Sequence, residues 1–194
     1  MSAAIESPLQ ATGFRWLLLY RICTLLSYQI VAVTVGWHVY ELTRDPWSLG
    51  LIGLAEVIPF FCVAPFAGFL VDHLPRRKLG AAACAVLATT ALLLVLVASG
   101  GLPVSGHWPI YAAIALGGIA RSFLGPVYNA LFARVLKREQ FARGAGMGSV
   151  VFQTGLVLGP AIGGVLVGIA GKSAAYALAA GFVAHFAARG GRPV

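Results

Sequence analysis

Two ionisable side chains stand where the sequence is otherwise apolar. Glu56 is the only charged residue from Ser48 to Val71, and Arg121 the only one from Trp108 to Ala133. A charge deep in such a run is expensive unless it faces a partner or a wet cavity, so it marks a route for ions or substrate. Glu56 reads as a proton carrier, or equally as a neutral acid that hydrogen-bonds two helices together. Arg121 reads as a transport group, or as a structural partner for a helix-end carbonyl or for Glu56. Ile114, Gly117, Arg121, Gly125 and Tyr128 fall on one helical face. Gln29 shares a face with Gly36 and Tyr40 that is expected to look inward; it reads as a pore-lining group or as an inter-helix hydrogen bond. His38, His107 and His185 read as interface or core residues. Cys23, Cys62 and Cys84 lie inside apolar runs without metal-ligand spacing and read as small buried hydrophobes. Neither a catalytic set, a metal site nor a cofactor is implied.

Two further patterns are structural. Gly68-Phe69-Leu70-Val71-Asp72-His73-Leu74-Pro75-Arg76-Arg77-Lys78 ends one apolar run and precedes the next. Gly68 and Asp72, four apart, share a helical face. Gly68 admits a close neighbour, and Asp72 can meet a helix N-terminus or a cation on it. In the fifth run Gly155, Gly159 and Gly163 recur every fourth residue, with Pro160 and Gly164 beside them. That spacing makes a close-packing face.

The elements that must carry these residues follow from composition. The chain has 194 residues, 59% hydrophobic and only 10% charged, against about 25% charged in a soluble domain. Mean hydropathy is +0.87. An all-α membrane protein follows, with a cytoplasmic tail over 1–13 and one six-helix domain over 14–194. Its spans are expected at about 14–40, 48–71, 79–99, 108–133, 144–171 and 173–188. The last has 16 residues from Ser173 to Ala188, where a full span wants about 20; it reads as short or truncated and as the part most prone to fray. The net charge of +8 does not point to nucleic acid, because the cations cluster in gaps between apolar runs. Arg15, Arg21, Arg76, Arg77, Lys78, Arg134, Lys137, Arg138, Arg143, Arg189 and Arg192 lie on one side of the expected topology, and Arg44 and Lys172 on the other. The positive-inside rule then puts both termini in the cytoplasm. Arg15 and Arg21, near the start of the first span, are expected to snorkel to the headgroups.

Gly68, Leu70, Asp72, Arg76 and Arg77 resemble the signature between helices 2 and 3 of the major facilitator superfamily. His73 and Pro75 depart from it, standing where the family has Arg or Lys and Gly. Arg121-Ser122-Phe123-Leu124-Gly125 resembles the helix 4 pattern. Gly155-Leu156-Val157-Leu158-Gly159-Pro160-Ala161-Ile162-Gly163-Gly164 resembles the helix 5 pattern associated with proton-driven exporters. Gly36 to Thr43, with Asp45-Pro46, looks like the branch containing the enterobactin exporter. The resemblance implies the N-terminal six-helix half of a twelve-helix carrier. That carrier would be a bacterial inner-membrane antiporter of drugs or siderophores, whose partners are the bilayer, protons and a small molecule. It further implies that Asp72 and the glycine face of helix 5 meet a missing second half, supplied by a separate chain or another copy. The alternatives are a truncated fragment that does not transport and, from another class, an intramembrane serine protease using Ser149 and His185. Gly146-Met147-Gly148-Ser149-Val150 departs from that protease family's Gly-x-Ser-Gly.

The charge asymmetry makes a topological prediction. In a background with Cys23, Cys62 and Cys84 replaced, Ser105→Cys is expected to react with an impermeant maleimide in intact cells and Lys137→Cys to stay unlabelled. The reverse pattern would invert the orientation.

Overall fold

The computed structural model describes residues 7–101 and 107–189. Residues 1–6 of the tail, residues 102–106 with Ser105, and residues 190–194 with Arg192 lie outside the described residues. A short 3-10 turn, Pro8–Gln10, leads into α1 (Thr12–Thr43). Then come α2 (Pro46–His73), α3 (Arg76–Ala98), α4 (Trp108–Val135), a 3-10 turn at Arg138–Gln140 and α5 (Phe141–Arg189). All five helices are long and apolar enough to cross a membrane, and there is no strand among the described residues. The chain is an all-α membrane protein. A helix of 28 residues, such as α2, rises about 42 Å at 1.5 Å per residue, beyond the roughly 30 Å of hydrocarbon.

The α1–α2 and α2–α3 connections are shorter than the hydropathy pattern suggests, and their chemistry is local. Arg44, with φ 53°, closes α1 in the left-handed region. Asp45 caps α2: its carboxylate accepts from the Trp47 N–H at 3.2 Å and from the Ser48 hydroxyl at 3.3 Å, with Pro46 at the first helical position. Only Leu74 and Pro75 separate α2 from α3. Arg76, Arg77 and Lys78, expected in a loop, therefore form the first turn of α3. Within α5, Gly171 has φ 81° and ψ 173°, a conformation that a side chain would strain. It splits the helix into limbs 141–170 and 172–189. Lys172, just past the break, pairs with Glu41 at 2.6 Å.

α1 packs chiefly on α5, α2 on α4, and α3 lies behind against α4 and α5. The second limb of α5 is core rather than a fraying end: Ala175, Tyr176, Ala179 and Val183 are fully buried. Tyr176 reaches the buried His38 on α1, oxygen to Nδ1 3.3 Å. The glycine stripe is spent inside the chain. A Cβ at Gly155 would come 2.9 Å from Leu25 Cβ, one at Gly159 would overlap Gln29, and one at Gly163 would meet the Ile30 backbone at 3.2 Å. This corrects the expectation that the stripe forms half of an interface with a second unit: it seats α5 on α1. Pro160 is half-buried beside it, and Gly164 is exposed with open space around it. The flanks of α2 and of the first α5 limb stay uncovered, with Phe61, Phe66, Val157 and Ile169 all exposed.

Gly159→Leu is expected to lower the melting temperature in detergent far more than Leu158→Ala, because the new side chain must part α5 from α1 at a cost of about 1–3 kcal/mol or more. Equal melting would show that the two helices do not touch there.

Candidate functional site

The two buried-run charges find each other. Arg121 Nη1 on α4 donates to Glu56 Oε1 on α2 at 2.6 Å, and the Tyr28 hydroxyl on α1 donates to the same oxygen at 2.8 Å. The guanidinium carbon sits 4.4 Å from the Tyr28 ring centroid and 5.3 Å from that of Phe60, so two aromatic faces share the positive charge. The Glu56 side chain is 16% exposed and that of Arg121 40%: the acid is sunk and the cation opens outward. Ser27, Tyr28, Glu56, Thr90 and Gly117 line a narrow cleft here, about 370 Å³ including its open mouth.

Backbone geometry makes the pair reachable. A Cβ at Gly118 would run into the main-chain carbonyl of Glu56, so α2 and α4 touch backbone to backbone one turn from Arg121. Pro59, inside α2, has no N–H to give the carbonyl of Ala55 and loosens that helix just past Glu56. A carboxyl held this way can do one simple thing. Taking a proton, it surrenders the charge that holds Arg121, and the guanidinium becomes free for another partner.

Other expected residues lie elsewhere. Gln29 sits against Gly159 at the α1–α5 contact, away from the cleft. Gly68 has open space where a Cβ would be, and Asp72 is exposed with no ion pair among the described residues. Arg76 Nε donates to the Val71 carbonyl at 3.4 Å, and Arg77 is exposed. Arg21 lies against the neighbouring helices: its guanidinium carbon is 3.9 Å from the Tyr128 ring centroid on α4 and 5.1 Å from that of Phe152 on α5. Ser149 and His185 are both exposed, and His185 stacks on Trp16 at 6.2 Å. Tyr28, Phe60 and Gly118 were not anticipated. The doubled Gly117-Gly118 in an apolar run was the one available signal for the close contact.

A family model described as "Transmembrane secretion effector", of the major facilitator superfamily, matches residues 3–188. The chain belongs to the major facilitator superfamily. It is thereby a multi-pass membrane protein of a transporter family, not an enzyme. Over 144 residues it is 24% identical to macrolide efflux protein A of Streptococcus pyogenes, covering 74% of this chain and 35% of that protein. Over 121 residues it is 27% identical to multidrug resistance protein 2 of Bacillus subtilis, covering 62% and 28%. The uncharacterized MFS-type transporter YfiS of the same organism is 21% identical over 155 residues, covering 75% and 36%. The chain spans about a third of the length of the curated relatives it matches.

Removing one member of a sunken ion pair strands the other. Arg121→Gln and Glu56→Gln are each expected to lower thermal stability in nanodiscs, and the double variant to lose less than the two losses added. Strict additivity would show that the pair carries no coupling.

Proposed function

We propose that this chain is the N-terminal six-helix unit of a proton-coupled exporter of small molecules, of drug or siderophore type, in a bacterial inner membrane. Both its termini face the cytoplasm. The observation that carries the reading is the Glu56 carboxyl held by Arg121 and Tyr28 at the edge of a cleft. Protonation and substrate compete for the same set of contacts, which is the physical requirement for exchange. The printed names of two relatives, macrolide efflux and multidrug resistance, support export and a small-molecule cargo. Resemblance alone supports the siderophore class.

Alternating access needs a second unit to rock against this one. The uncovered flanks of α2 and of the first α5 limb, the open Gly68 and the exposed Asp72 support such a neighbour, either a separate half or a second copy. They also favour a second reading, in which residues 1–194 alone insert into the bilayer but do not transport.

In the longest reading frame containing this chain, Glu56→Gln is expected to abolish gradient-driven efflux of a fluorescent drug from inverted vesicles while leaving membrane insertion intact. Normal efflux would reduce Glu56 to a packing residue. Residues 1–194 alone, in liposomes with an imposed proton gradient, are expected to move neither drugs nor siderophores. Gradient-dependent flux there would point to a functional homodimer.

A further inference from the structure

The α1–α4 seam holds two guanidinium–phenol stations. Arg121 of α4 lies over Tyr28 of α1, and Arg21 of α1 lies over Tyr128 of α4. Each helix offers its Arg and its Tyr seven residues apart, two turns along one face, so antiparallel crossing brings both pairs together at once. The stations are about 10 Å apart along the seam. They differ in one respect. The first contains a carboxylate, Glu56, bound to the guanidinium. At the second, no acidic side chain meets Arg21 among the described residues. Arg21 Nε is buried there without a hydrogen-bond partner among those residues, and the polar group beside the equally buried Tyr128 hydroxyl is Arg21 itself, which leaves the phenolic O–H free to donate. The room for that hydroxyl is reserved by Gly148, where a Cβ would collide with it at 2.5 Å. α5 contributes Phe152 instead of an acid, its ring near the cation and more than a third exposed.

A guanidinium N–H and a phenolic O–H left without an acceptor inside an apolar bundle are costly unless something answers them. The first station shows what answers this arrangement: one carboxylate oxygen taking a bond from each group. We propose that the Arg21–Tyr128 station is a binding site for the carboxylate of an amphiphilic ligand. The acid would take the place that Glu56 occupies at the other station, and the apolar body would lie on Phe152. The guanidinium supplies charge-assisted donors, the phenol a second donor, and the ring an apolar shelf. This goes beyond the export reading and does not rest on it, since binding is read without any gradient.

The test uses purified residues 1–194 in nanodiscs, with 4-fluorophenylacetate and its neutral amide as probes. Fluorine NMR line broadening is the readout, and empty nanodiscs correct for partitioning. The acid is expected to bind about tenfold more tightly than the amide, the gain from charge-assisted hydrogen bonds. Arg21→Gln is expected to erase that preference and Arg21→Lys to keep part of it. Phe152→Ala, at an exposed position, is expected to weaken acid and amide alike. Lys172→Gln, on α5 and paired with Glu41 at the opposite end of α1, is expected to leave both unchanged. Equal binding of acid and amide by the wild-type chain would overturn the site. So would a preference that survives Arg21→Gln, or one that Lys172→Gln abolishes. Should Arg21→Gln not fold, the Phe152→Ala and Lys172→Gln arms still place the acid or exclude it from the station.

Discussion

A carboxylate sunk among apolar helices has to be answered by donors, and that requirement organises the middle of this protein. Glu56 takes two bonds on one oxygen, from Arg121 and Tyr28, so α1, α2 and α4 all contribute to one small polar knot. The knot forms only because α2 and α4 meet backbone to backbone at Gly118, which lets a side chain of ordinary length span the gap. The aromatic faces of Tyr28 and Phe60 then share the charge of a guanidinium that opens outward. Remove the acid and neither the arginine nor the tyrosine has a reason to point there.

Much of this was legible in the residues. Charges inside apolar runs are conspicuous, so Glu56 and Arg121 could be singled out one at a time. The glycine spacing announced a close helix contact, and the signature around Asp72 announced the superfamily to which the chain belongs. What hydropathy cannot express is which helix lies opposite which. Periodicity describes a face, not its neighbour, so the stripe at Gly155, Gly159 and Gly163 was assigned a partner outside the chain when its partner is α1. Tyr28 carried no signal because an aromatic in an apolar run is ordinary there.

Arg21 has neighbours that its place in the sequence did not announce. Its position near the start of an apolar run suggested headgroup depth. α1 begins at Thr12, so Arg21 lies nine residues in, about 14 Å along the axis, with Tyr128 and Phe152 beside it. The last segment is short, as read, and its packing is what length could not announce. Its residues are few, but Tyr176 and three small neighbours are wholly enclosed, and small side chains bring that limb close enough to be held. Length sets whether a helix can cross a bilayer; packing sets whether it stays put.

The glycine seating of α5 on α1, and the single glycine contact of α4 on α2, divide the bundle into two stiff pairs. Backbones in direct contact leave no side-chain layer to deform, so each pair is a girder. Between the girders, at mid-depth, Tyr28 of α1 meets Glu56 of α2 through its hydroxyl and Arg121 of α4 through its ring, with α3 as a common wall behind. That makes the polar knot a rivet across a fault line. On the proposed exchange, a proton arriving at Glu56 would slacken one of the fasteners that cross the break at that depth, so that a chemical event the size of a hydrogen atom would ease the hold between two thirty-residue beams.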